Sequence, residues 1–107
     1  MKICVIGGGN IGTVLAAELA AKGQTVIMMT THPQGWSREL MVYDAAEKLL
    51  YTGVLAEVTD DLRHAVQNAE LVFVTYPAFL FRNLNKQLES ILRVNQKLVI
   101  VPGSGGV

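Results

Sequence analysis

The chain has 107 residues, half of them hydrophobic and 17% charged, with nine basic and nine acidic side chains and a formal net charge of zero. One core and one domain fit that length. The balance excludes a disordered chain and argues against a nucleic-acid or membrane-surface binder, which would carry a basic excess.

Lys2-Ile3-Cys4-Val5-Ile6 reads as a short apolar strand that runs directly into Gly7-Gly8-Gly9-Asn10-Ile11-Gly12, and a helical pattern opens at once behind it. This order carries more than the glycines alone. The first glycine of G-x-G-x-x-G permits a tight turn, the second lets backbone approach a pyrophosphate, and the third lets the helix pack closely on the strand. Free N–H groups and the positive dipole end of the helix then face the phosphates. Gly7, Gly9, Asn10, Ile11 and Gly12 are therefore the expected pyrophosphate site. The plainer alternative, a structural glycine turn, does not need the strand before and the helix after.

The helix is expected to be capped by Asn10, to bury Ile11, Val14, Leu15 and Leu19, and to stop at Gly23. Thr25 to Met29 is a second strand, followed by turn chemistry at Thr31-His32-Pro33-Gln34-Gly35. Leu40 to Tyr43 and Lys48 to Tyr51, around a turn at residues 44–47, read as an inserted β-hairpin. Gly53 separates it from a short strand over Leu55 to Thr59. Thr59 or Asp60 caps a short helix that buries Leu62, Ala65, Val66 and Ala69.

Leu71 to Thr75 is a continuous apolar strand of the kind covered on both faces in a parallel sheet, and Pro77 ends it. A helix from about Phe79 to Arg93 buries Phe81, Leu84, Leu88, Ile91 and Leu92. Leu98 to Val101 is the last strand, before the loop Pro102-Gly103-Ser104-Gly105-Gly106. Alternating strands and helices imply an α/β fold, a Rossmann-like doubly wound parallel sheet with an inserted β-hairpin. Its first strand is expected near the centre, and ligands at the carboxyl ends of the strands.

That rule gathers the Gly7–Gly12 loop, Thr30-Thr31-His32, Thr75-Tyr76-Pro77-Ala78 and Pro102-Gly103-Ser104 on one rim, where a dinucleotide would lie. An NAD binder usually carries Asp or Glu at the end of the second strand, where it hydrogen-bonds the ribose and repels a 2′-phosphate. This chain has Thr30 and Thr31 there, with His32 and Arg38 close behind. The reading leans to NADP, with NAD left open.

The remaining candidates carry less. Cys4 lies inside a strand, so no disulfide framework is possible, and a buried thiol in a reducing, cytoplasmic setting fits. The first strand leaves no room for a secretory leader, and no apolar run is long enough to span a membrane. Asp60-Asp61 suits helix capping better than metal binding, and no Cys/His cluster has metal-ligand spacing. Ser104 has no base partner, His64 reads as inert on the exposed side of a short helix, and Trp36 reads as a packing residue.

Gly7-x-Gly9-x-x-Gly12, Thr59-Asp60-Asp61, Val72-Phe73-Val74-Thr75-Tyr76-Pro77-Ala78 and Asn95-Gln96-Lys97-Leu98-Val99-Ile100-Val101-Pro102-Gly103 together resemble the amino-terminal domain of the opine (octopine-type) dehydrogenases. They are similar, more distantly, to ketopantoate reductases and glycerol-3-phosphate dehydrogenases. The resemblance implies reductive condensation of an amino acid with an α-keto acid, hydride passing from a nicotinamide to the imine carbon. It also implies that Pro77 and Ala78 flank the nicotinamide, with Tyr76 on the same rim. Family members often carry His where this chain has Phe81. The family's catalytic His and substrate domain lie beyond Val107, so the expectation for this chain is cofactor binding without turnover, no catalytic residue of its own, and self-association into a homo-oligomer through surface that domain would cover. The rival is a non-catalytic NAD(P)-sensing regulatory domain. Such domains typically keep the acidic ribose residue and lack both the Pro-Ala and the hairpin.

Overall fold

The computed structural model describes residues 1–7, 10–30, 33–43, 45–75 and 86–101, and for Asn10, Ile11, Pro33 and Tyr51 the backbone. Five parallel strands form the main sheet in the order β5-β2-β1-β6-β7. They are β1 (Lys2–Ile6), β2 (Thr25–Met29), β5 (Glu57–Thr59), β6 (Leu71–Val74) and β7 (Lys97–Ile100). β3 (Glu39–Tyr43) and β4 (Leu49–Val54) pair antiparallel as a separate hairpin, as expected from the sequence. The first strand is the centre of the sheet.

Alternation along β1 divides the core. Cys4 and Ile6 point to one face, where they join Met29, Val72, Val74 and the buried side of α2 (Leu62–Val66), together with Leu88 from a helical stretch over 86–91. Ile3 and Val5 point to the other, with Val26, Met28, Leu55 and the alanines of α1 (Asn10–Ala21). Val5, Cys4 and Ile6 are wholly buried, as a strand covered on both faces requires. Burial pushes the Cys4 thiol up to about 12, so it is an inert apolar filler. Trp36 packs, half-buried, against the second cluster. Phe81 and Leu84, expected on the buried stripe of the following helix, lie outside the described residues.

Three elements differ from their sequence reading. In α1 the fully buried residues include Ala16 and Ala17, Leu19 packs half-buried against the core, and Val14, expected on the buried stripe, is exposed. The helix lies between sheet and hairpin, and small residues let both approach it. Gly53 is not a break between strands but sits inside β4, where a Cβ would collide with the backbone carbonyl of Ala17. The cap of α2 is Asp61, whose carboxylate accepts the His64 N–H at 3.1 Å, while Thr59 Oγ1 accepts the N–H of Asp61 itself. Asn10, expected as the cap of α1, falls within the helix. Gly23 ends that helix as anticipated: with φ of 92° it donates to Ala20 O, and Gln24 donates to Leu19 O, the paired bonds of a Schellman motif.

Gln96 makes a tie with no sequence signature. Its Nε2 donates to Val66 O and Ala69 O at 2.6 and 2.7 Å, and its Oε1 accepts the Arg93 N–H. One amide thus satisfies the carboxyl end of α2 and fixes the turn that leads into β7.

Gly53→Ala is expected to destabilise the domain by about 1–3 kcal/mol, because backbone rather than a movable side chain occupies the space. Urea unfolding followed by circular dichroism measures it. His64 is exposed and faces the Glu57 carboxylate at 2.9 Å, and that contact holds its pKa above the ordinary 6.5. A raised histidine stabilises the fold fully below about 6.5 and loses that contribution as pH rises through the folded value. In an NMR titration Glu57→Gln is expected to return His64 towards 6.5.

Candidate functional site: the glycine rim

At the carboxyl ends of the strands the parallel ladder continues one residue into each loop. Gly7 N–H donates to Met29 O, Thr30 N–H to Thr59 O, Thr75 N–H to Ile6 O and Val101 N–H to Val74 O, at 2.8 to 2.9 Å. These bonds line Gly7, Thr30, Thr75 and Val101 along one rim, with β1 at its middle.

The rim is tightest where β1 passes into α1. Gly7 has φ of 114°, a conformation that side chains with a Cβ rarely adopt, and this turns the chain sharply out of the strand. Gly12 then brings the first turn of α1 against the rim. A Cβ at Gly12 would collide with Gly7 O and stand 2.9 Å from Thr75 Oγ1. Two of the three fingerprint glycines thus do what the sequence demanded of them, one by backbone conformation and one by close approach. The close approach of α1 to the strand end leaves no space for a side chain at Gly12.

Thr75, which the sequence places on the rim without a role of its own, makes a contact there that the sequence does not show. It is buried, and its hydroxyl donates to Ile6 O at 2.9 Å and lies 3.5 Å from Gly7 O. A hydroxyl at the end of an otherwise apolar strand was the available signal. Thr30 is also buried, on the same rim.

Arg38 is placed elsewhere. Its Nε donates to Leu55 O, and its own carbonyl accepts the Leu55 N–H. The next residue, Ala56, is bonded to Val26 near the start of β2, whereas Thr59 is bonded to Thr30 at the rim. At roughly 3.3 Å per residue the two levels stand about 10 Å apart. The fold therefore brings Gly7, Gly12 and Thr30 together and holds Arg38 towards the opposite end of β5. The backbone of Asn10 and Ile11 forms the first turn of α1. Gly9, Thr31, His32, Tyr76, Pro77, Ala78 and the 102–106 loop lie outside the described residues.

Among the described residues no group of three His, Cys, Asp or Glu side chains could hold a metal ion. No helix among them is long and apolar enough to cross a membrane.

A parallel sheet ordered 3-2-1-4-5, with a glycine turn and helix following its central strand, defines the Rossmann class of nucleotide-binding folds. Residues 2–103 match the family model described as NAD-dependent glycerol-3-phosphate dehydrogenase N-terminus, and the chain belongs to that family. Among its relatives, the glycerol-3-phosphate dehydrogenase [NAD(P)+] of Clostridium botulinum (strain Eklund 17B / Type B) is 29% identical over 99% of this chain and 32% of its own length. That of Ectopseudomonas mendocina (strain ymp) is 38% identical over 76% of this chain and 24% of its own. The chain spans about a third or less of these curated relatives.

Solved structures share the fold. An octopine dehydrogenase determined with NADH and agmatine superposes with a TM-score of 0.80 at 23% identity, over 95% of this chain and 28% of that one. The glycerol-3-phosphate dehydrogenase of Coxiella burnetii gives 0.72 at 20% identity, over 92% and 31%. Sequence likeness thus runs to the glycerol-3-phosphate enzymes, named above as the more distant resemblance, while the opine-type likeness is one of fold.

Gly12→Ala is expected to lower stability by about 1–3 kcal/mol, since the added methyl meets the Gly7 carbonyl. Thermal denaturation against the unsubstituted chain reads the loss.

Proposed function

We propose that this chain binds NAD(P) across the glycine rim and forms the cofactor-holding half of a hydride-transferring dehydrogenase. One observation carries the reading. Gly7 turns sharply out of β1 with φ of 114°, and Gly12 packs the first turn of α1 against the Gly7 carbonyl, as the first and third glycines of a dinucleotide fingerprint do. A glycine turn followed directly by the first turn of a helix suits a pyrophosphate. When bound, the nicotinamide supplies the hydride acceptor or donor. The chain's own residues hold and orient the dinucleotide: Gly7, Gly9, Asn10, Ile11 and Gly12 at the pyrophosphate, Thr30, Thr31 and His32 at the adenine ribose, and Tyr76, Pro77 and Ala78 at the nicotinamide end.

The first reading of the whole enzyme is oxidation of glycerol 3-phosphate, or reduction of the matching keto phosphate, supported by the family match and the named relatives. The second is an opine-type condensation of an amino acid with an α-keto acid, supported by the fold likeness and the residues 72–78 pattern. Either chemistry needs an acid/base group and a cover that excludes water. We assign neither to residues 1–107, so the chain alone binds without turnover.

The absence of an acid at Thr30 and Thr31 removes the charge that would repel a 2′-phosphate, which favours NADP. Calorimetric titration tests the proposal: both dinucleotides are expected to bind, NADPH at least as tightly as NADH. Arg38→Ala is expected to leave the ratio of the two affinities unchanged, because the guanidinium is anchored at Leu55. Absence of binding by either dinucleotide would overturn the reading, and tighter NADH binding would overturn the NADP preference alone.

A further inference from the structure

We infer that Thr75 is a positioning residue for the dinucleotide site, its hydroxyl setting the Gly7 carbonyl and the approach of Gly12 in the conformation that receives a pyrophosphate. The inference rests on the cofactor-binding reading above.

The hydroxyl is not needed to complete the sheet. Ile6 O already accepts the Thr75 N–H at 2.9 Å, so the 2.9 Å bond from Thr75 Oγ1 is a second donor to a carbonyl that the ladder has satisfied. A strand-end residue required only for packing would be served by valine, which is β-branched and of nearly the same shape. What the hydroxyl adds is contact with the glycine loop. Its oxygen lies 3.5 Å from Gly7 O, and 2.9 Å from where a Cβ of Gly12 would stand. The first and third fingerprint glycines therefore meet at one buried oxygen.

Electrostatics gives this meeting a purpose. A carbonyl oxygen directed at a bound phosphate would repel it, whereas backbone N–H groups attract it. The Thr75 hydroxyl lies beside the carbonyls of Ile6 and Gly7, on the β6 side of the loop, and gives them a polar neighbour there. Thr75 is buried, so this arrangement is present before any ligand arrives. A loop held in its receiving conformation loses less entropy on binding.

The test compares Thr75→Val with Thr75→Ser in the intact chain, at a temperature where circular dichroism shows both fully folded. NADH and NADPH are the probes, titrated by calorimetry. Thr75→Val is expected to weaken both by about three- to tenfold with their ratio unchanged, as loss of one buried hydrogen bond at a shared pyrophosphate site requires. Thr75→Ser, which keeps the hydroxyl, is expected to stay within about twofold of the parent. Equal losses in the two variants would assign the effect to packing at this position rather than to the hydroxyl, and unchanged affinity in Thr75→Val would remove any role; either result overturns the inference. Failure of the parent chain to bind either dinucleotide overturns the cofactor-binding reading instead, and the inference with it.

Discussion

The structure depends on β1 being covered on every side. It is hydrogen-bonded to β2 along one edge and β6 along the other, and its side chains alternate between two apolar clusters. No polar side chain could be tolerated within such a strand without a partner, and the sequence Ile3-Cys4-Val5-Ile6 offers none. The cost of that burial is borne at the strand's end. Backbone groups leaving the sheet must be paired again within a residue or two, and the rim bonds of Gly7 and Thr75 do so. Position and chemistry of the site follow from the same constraint.

The second face of the sheet shows how the helix and the inserted hairpin were fitted to each other. α1 contacts β1 and β2 on one side and the hairpin on the other. A helix flanked in this way has no room for a conventional stripe of leucines. Ala16 and Ala17 take the closest positions, and Gly53 in β4 lets the hairpin backbone come down onto Ala17. The apolar residues on the outer side of the hairpin, Met41, Tyr43, Leu49 and Val54, are more than half exposed and contribute little to the core.

Much of this was legible in the sequence because the signals were local. A strand, a glycine fingerprint and a helix in that order state their own geometry, and the fully apolar β6 announces a strand covered on both faces. The hairpin was legible through the turn at residues 44–47 and its flanking β-formers. Less legible was anything set by close approach between distant segments. Gly53 reads as a break until Ala17 is seen against it. Thr75 reads as a strand-end residue until its hydroxyl is found on Ile6 and near Gly7, about seventy positions away along the chain. Gln96 gives no hint of the two carbonyls it joins. Arg38 shows the same limit from the other side: it lies near Thr30 in sequence, while its Nε is bonded to Leu55 O.

The divergence between sequence likeness and fold likeness has a physical origin. A dinucleotide's pyrophosphate and ribose make the same demands in every dehydrogenase of this architecture, so the fold is shared even at 20% identity. Substrate recognition makes no such common demand. A phosphate ester needs cationic or backbone donors for its dianion, whereas an amino acid and a keto acid need carboxylate partners and a site for an imine. Those groups must be brought to the nicotinamide face by whatever closes over it, and the binding domain needs only to present that face at a fixed place. A domain built to hold one end of the reaction still can serve several chemistries at the other, which is why its fold is common to enzymes of unlike substrates.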